Sequence, residues 1–269
     1  MNTPAFLIDN EDHDGPLNMA LDEVLWREAA VGKSFFRLYK WLDRPVLSLG
    51  YFQSSYQLRC DPRLSRLPYV RRLTGGGAIV HDRELTYSLA TPAWLAPPTG
   101  ELYERFHRAV VGELVRQGIP ANLGDCRLSS ERKANLCFHR TDRYAIRVYG
   151  AKVLGSAQRR GARAVMMHGS LLLASSPAAP QLAGLNDILG RDCCEDDCKQ
   201  ALVRAAASAL RMELEATGLA EDLRYRSNQL ADSKYRTAGW NDLDRRTEPD
   251  VCQTRRGFAS SIDSSLVHC

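Results

Sequence analysis

No stretch of this 269-residue chain approaches the roughly 18 consecutive apolar residues that a membrane helix needs; the longest apolar run of note is 171–174. Near its start stand Asp9, Glu11, Asp12 and Asp14, where a secretory leader would need a basic stretch and an apolar block. A soluble, cytoplasmic protein is therefore expected. Neither sign of charge dominates. Thirty-six Lys and Arg against 32 Asp and Glu leave a net charge of +4, too small and too evenly spread to point to nucleic acid or a membrane as partner. No repeat period is present, and no Pro, Gly or Ser linker divides the first 240 residues. The eight cysteines, without a leader, read as thiols rather than a disulfide framework. Cys193, Cys194 and Cys198 form a CCxxxC cluster, but no second pair follows at zinc-ligand spacing, so no metal is expected.

What is present fits a soluble globular protein: 44% of residues are hydrophobic and 25% charged. At about 150 residues per domain the length allows one large domain or two small ones. A first helix follows Gly15-Pro16, since proline suits a first helical turn and Leu17, Ala20, Leu21, Val24 and Leu25 recur on one face. Strand-like segments follow at 35–39, 46–49, 69–73, 78–81 and 85–90. Leu102, Phe106, Ala109, Val110 and Leu114 mark a second amphipathic helix that stops at Gly118. Tyr144, Ile146 and Val148 alternate before Gly150, and strand character resumes at 152–154, as in a hairpin. Segments 165–167 and 170–173 are strand-like around His168-Gly169, and a long helix is expected from about 197 to 217. Helices and short strands alternate without regular βαβ spacing. That predicts an α+β fold, a mixed and largely antiparallel sheet flanked by helices.

Three segments could carry chemistry. In RRLTGGGAIVHD (71–82), Gly75, Gly76 and Gly77 let a ligand approach the main chain closely, and Arg71 and Arg72 could hold an anionic group. A turn with solvated arginines is the plain alternative, because no phosphate-loop Gly-Lys-Ser/Thr follows. In KVLGSAQRR (152–160), Lys152 emerges from a strand beside Gly155 and Ser156, suited to hold a carbonyl or carboxyl oxygen; an exposed strand lysine is the alternative. Cys137 lies 15 residues before Lys152, and a thiol near a lysine becomes a better nucleophile at neutral pH. A small buried hydrophobe is the alternative there.

RRLTGGGAIVHD, ELTYS, KVLGSAQRR and HGSLLL, in that order, resemble the lipoate-protein ligase and octanoyltransferase family. The resemblance runs from Asn18 to the Lys234-Tyr235 and Gly239-Trp240 segment. It implies a catalytic core similar to those of biotin protein ligases and class II aminoacyl-tRNA synthetases. A catalytic domain over 1–243 is expected, with a polar and loosely ordered tail over 244–269. The implied activity attaches an octanoyl or lipoyl chain to one lysine of a carrier domain, the glycine cleavage H protein or an E2 subunit. Cys137-Phe138, Tyr144, Ile146, Gly150 and Lys152-Val153 resemble the cysteine-dependent octanoyltransferase branch, as does Glu84-Leu85-Thr86-Tyr87-Ser88.

In that branch Cys137 would accept the acyl group from octanoyl-acyl carrier protein and Lys152 would hold its carbonyl oxygen, with no cofactor. Arg72, Gly75, Gly76, Gly77, His81, Gly155, Ser156, His168 and Gly169 would bind substrate. His81 or His168 would be candidates to take the acceptor's proton, and an apolar tunnel would receive the eight-carbon chain. The glycine triplet itself is the ligase-like form, which keeps an ATP- and Mg-dependent lipoate-protein ligase as the alternative reaction. A protein that binds an acyl group without reacting would not need both Lys152 and Cys137.

Overall fold

The computed structural model describes residues 3–9, 12–42, 44–56, 62–124 and 143–242. Cys137 and the tail beyond Asp242 lie outside the described residues. Strand β1 (Thr3–Asp9) leads into helix α1 (Gly15–Ala29), whose N-terminus is capped by Asp14 accepting from Leu17 N at 2.8 Å. Then come β2 (Phe35–Tyr39), β3 (Val46–Leu49), β4 (Tyr69–Arg71), β5 (Ile79–His81) and β6 (Glu84–Pro92). Helix α2 (Thr99–Arg116) precedes β7 (Ala121–Leu123), β8 (Ile146–Val148), β9 (Ala151–Arg160) and β10 (Ala164–Leu172). Helices α3 (Leu185–Leu189) and α4 (Glu195–Leu210), strand β11 (Met212–Ala216), helix α5 (Glu221–Leu230), a π-helical turn (Ala231–Tyr235) and α6 (Ala238–Asn241) complete the described chain.

Eight strands form one sheet in the order β11-β1-β2-β6-β10-β9-β8-β7, and β4-β3-β5 form a second, smaller one. Pairing in the large sheet is parallel at β11-β1-β2 and antiparallel beyond. This is the mixed, largely antiparallel α+β architecture that the sequence predicts. Leu102, Phe106, Val110 and Leu114 of α2, with Ala201, Leu202 and Ala205 of α4, bury against one face of the sheet. Each large apolar side chain removed from water there stabilises the fold by about 1.5–3 kcal/mol. Val24 and Leu25 of α1 with Leu223 of α5 cover the other face. Met19 and Ala20 meet Trp41, Val46 and Val70, tying the small sheet to the same helix.

Segments 165–167 and 170–173 join as the single strand β10, paired on both sides through His168-Gly169. The hairpin turns at Tyr149 (φ 46°) and Gly150 (φ 85°), both left-handed, as a two-residue turn requires. The helix expected to reach residue 217 ends at Leu210. Arg211 takes a left-handed φ of 51°, and the following residues pair with β1 instead. Sheet pairing there overrides a helical stripe that fades after Leu210. Among the described residues no helix is long and apolar enough to cross a membrane.

Candidate active site

Helix α1 turns polar side chains inward where an amphipathic helix would place apolar ones. Asn18 and Asp22, one turn apart, are both buried. Arg37, fully buried on β2, donates to Asp22 Oδ1 at 3.1 Å and to Asn18 Oδ1 at 2.5 Å. Asp22 Oδ2 accepts from Tyr39 at 2.8 Å and lies 3.1 Å from His168 Nδ1. Burial alone would raise the Asp22 pKa, but the His168 hydrogen bond and the Arg37 charge outweigh it and hold the carboxyl below the usual range. Burial likewise lowers the His168 pKa, more than the Asp22 carboxylate raises it. The neutral imidazole is thereby favoured at His168. Facing a carboxylate, Nδ1 carries the proton, which leaves Nε2 to accept from Thr74 Oγ1 at 2.6 Å. This chain, Asp22–His168–Thr74, fixes the entrance of the glycine loop to the centre of the sheet.

Gly50 and Gly76 bring two loops together backbone to backbone. A Cβ on Gly50 would stand 2.1 Å from Gly76 O, so no side chain fits there. Gly75 is half-buried and Gly76 exposed, which leaves this main chain open to a ligand. The expectation that Arg71 and Arg72 hold a substrate anion is not what the packing gives. Arg72 is buried and donates to the carbonyls of Ser48, Gly75 and Gly77 and to Thr74 Oγ1. Arg71 donates to the carbonyls of Gly50, Tyr51, Gln53, Trp240 and Asn241. A guanidinium satisfies several converging carbonyls at once, and here both shape the loop.

His81 is also held on both ring nitrogens. Nδ1 meets Glu84 Oε1 at 2.5 Å and Nε2 meets Ser48 Oγ at 2.7 Å, while the ring stacks on Trp41 with centroids 3.8 Å apart. His81, His168, Gly169, Ser170, Arg72 and Trp41 enclose a cavity of about 10 Å³ beneath the glycine loop. That is room for about one water, not for an eight-carbon chain, so the expected tunnel is not open here. Met19, Tyr39 and Ile79 fill the space around it. Ser170 Oγ, in this wall, is buried without a hydrogen-bond partner among the described residues.

Strand β9 supplies the lysine. Between Arg147↔Lys152 and Ile146↔Leu154 the register slips by one residue, a bulge that re-aims the strand end. Lys152 is buried and lies across Gly155, which pairs with Ser170 of β10. Lys152, Gly155, Ser170 and His168 thus gather on one face of the sheet. Ser156 turns away from them. Its hydroxyl shares a hydrogen bond with Tyr87 Oη and lies 2.6 Å from Nε2 of His107, whose Nδ1 meets Tyr144 O at 2.5 Å. Gly169 belongs to that buried side too, since a Cβ there would stand 2.6 Å from Tyr87 Oη. The structure therefore ties the glycine loop to His168 through Thr74, sets His81 and His168 in one cavity wall, places Lys152 and Gly155 on the same sheet face as His168, and leaves the Ser156 side chain out.

Asn18, Asp22, Arg37 and Thr74 were missed as site residues by sequence reasoning. The available signal was a pair of polar residues, four apart, on the apolar stripe of α1. Cys198 is a core residue whose thiol burial pushes up to about 12, while Cys194 is exposed. Both lie on or beside α4, on the side of the sheet opposite α1.

Residues 14–223 match the lipoyl protein ligase A/B catalytic domain. The chain is similar to octanoyltransferase LipM of Symbiobacterium thermophilum, 32% identical over 272 residues that cover 90% of this chain and 99% of the relative. Its fold resembles that of lipoate-protein ligase A bound with ATP, at a TM-score of 0.74 and 22% identity over 89% of this chain and 99% of the other. It also resembles the bi-partite lipoate protein ligase of Thermoplasma acidophilum, solved as part of a lipoylation system with an E2 lipoyl domain, at a TM-score of 0.69 and 20% identity. That likeness spans 92% of this chain and 99% of the archaeal one.

Proposed function

Because the chain belongs to the lipoyl protein ligase A/B catalytic-domain family, we propose that it is an octanoyltransferase, moving an octanoyl group from a protein thioester to one lysine of a lipoyl carrier domain. The observation that carries this reading is the likeness to an octanoyltransferase along nearly the whole of both chains. The donor is octanoyl-acyl carrier protein, and the acceptor is the glycine cleavage H protein or an E2 subunit.

In the first step the Cys137 thiolate attacks the donor's carbonyl carbon. The new S–C bond forms, the old one breaks, and the donor leaves as its thiolate. Lys152, buried where it lies across Gly155, stabilises the oxyanion that develops on the carbonyl oxygen, with backbone N–H groups near Gly155 or Gly76 as further donors. In the second step the neutral amine of the acceptor lysine attacks the acyl-Cys137 carbon. The amide forms, Cys137 leaves as thiolate, and the amine's proton passes to a base. Both ring nitrogens of His81 and of His168 have protein partners, so a proton entering this site reaches His168 through the Thr74 hydroxyl or leaves with water. No cofactor enters either step.

Intact-protein mass spectrometry after mixing the protein with octanoyl-acyl carrier protein, without ATP, tests the reading. A hydroxylamine-sensitive octanoyl adduct that Cys137→Ala abolishes is the expected result. No adduct, with modification of the carrier only when ATP and free lipoate or octanoate are supplied, overturns it in favour of the ligase.

A further inference from the structure

A second, larger concavity opens beside the site. Its volume is about 670 Å³, and Lys40, Arg44, Arg83 and Arg191 stand around it. Arg44, Arg83 and Arg191 are exposed. None of these three side chains has a hydrogen bond or ion pair among the described residues. Three of the four acids of the cleft have other partners. Asp187 accepts from the backbone of Ser175 and Gly184, Asp192 from Asn186, and Glu195 pairs with Lys40 at 2.7 Å. The lining carries four basic and four acidic side chains, but among the described residues no carboxylate lies within ion-pair distance of these three guanidiniums, groups whose planar fork suits phosphate oxygens.

Its inner wall adds a different chemistry. Glu84 borders the cleft, and its Oε2 is buried with no hydrogen-bond partner among the described residues. Leaving a carboxylate oxygen buried and unmatched is costly, and an incoming N–H would satisfy it. Through Oε1 the same carboxylate holds His81, which lines the small cavity under the glycine loop. A single side chain thus separates an arginine-rimmed cleft from the small cavity that His81 and His168 line. A ligand that bridges the two must carry a phosphate at one end and amide N–H groups along its length, and must deliver a thioester at the other end.

We propose that this cleft binds the phosphopantetheine arm of the thioester donor, with Arg44, Arg83 and Arg191 on the phosphate and Glu84 Oε2 accepting from an arm amide. This rests on the transferase reading above and adds to it where the donor lies. The same arm occurs on an acyl carrier protein and in coenzyme A, and the cleft reads the arm rather than what it is attached to.

The test compares acyl-enzyme formation on the full chain from octanoyl-pantetheine, octanoyl-4′-phosphopantetheine and octanoyl-acyl carrier protein. In Arg83→Gln/Arg191→Gln the second-order rate with both phosphate-bearing donors is expected to fall at least about 10-fold, the loss of charge-assisted contacts to one anion. The rate with octanoyl-pantetheine is expected to stay within about twofold. The single variants Arg44→Gln and Arg83→Gln give the same selective loss, smaller in size, should the double variant fold poorly. Equal losses on all three donors, or no loss, overturn the proposal. So does a loss confined to the carrier-protein donor, which would place the arginines on the carrier's own surface. Failure of every thioester to acylate the unsubstituted protein overturns the transferase reading and this inference with it, whereas acylation insensitive to the arginines overturns the inference alone.

Discussion

Lys152 lies across Gly155 so closely that a methyl group on residue 155 would stand 2.9 Å from its Cε and 3.2 Å from its Nζ. The glycine is what lets the lysine fold back over its own strand toward β10. The atoms in the way are the far end of a flexible side chain, so an added methyl displaces the ammonium and leaves the backbone in place.

Gly155→Ala is therefore expected to cost about 1 kcal/mol of stability. The acylation rate should fall about 10²-fold, the effect of misplacing one electrostatic donor at an oxyanion. Thermal melts and single-turnover acylation measure the two. A full-rate Gly155→Ala enzyme would remove Lys152 from the reaction.

Ser156 gives the opposite expectation. Its hydroxyl is shared by Tyr87 and His107 on the sheet face away from Lys152, so Ser156→Ala leaves two buried polar groups without that partner. The expected cost is about 1–3 kcal/mol in urea unfolding, with kcat/KM for transfer within a few-fold of the parent at a temperature where both are folded. Loss of transfer without loss of stability would return Ser156 to the substrate side.

His168 predicts how stability depends on pH. An unfolded imidazole takes up a proton near pH 6.5. Burial lowers that value in the folded protein. Between the two the unfolded chain binds more protons, so the contribution is complete above about pH 6.5 and declines as the pH falls toward the folded value. Asp22, held below the carboxylate range, adds a second decline as the pH falls below about 4. Urea melts at pH 7.5 and 5.5 should show the parent losing more stability than His168→Gln over that interval. Equal losses in the two proteins would mean that His168 is not buried neutral.

Much of the framework was legible along the chain because it depends on neighbours in sequence. The stripe from Leu102 to Leu114, the proline-started α1 and the Tyr149-Gly150 turn are periodicities and backbone preferences that a short segment expresses alone. Helix α4 was legible only to Leu210. The strand after it, β11, is settled by a pairing partner, β1, more than 200 residues earlier in the chain.

The site divides in the same way. Sequence alone singled out the glycine triplet and Lys152 as candidates, because glycine and ionisable side chains in strand-like context are visible without a fold, and the family resemblance added His168. Only the tertiary structure turned Arg71 and Arg72 onto backbone carbonyls, moved Ser156 to the far face, and joined Asp22 and Arg37 to His168. The physical reason is that a polar side chain's role depends on which partners close around it. Asp22 and His168 meet 3.1 Å apart across 146 residues of chain. Residue type fixes what each group can donate, accept or ionise, but the packing of α1 on β2, β6 and β10 decides with whom.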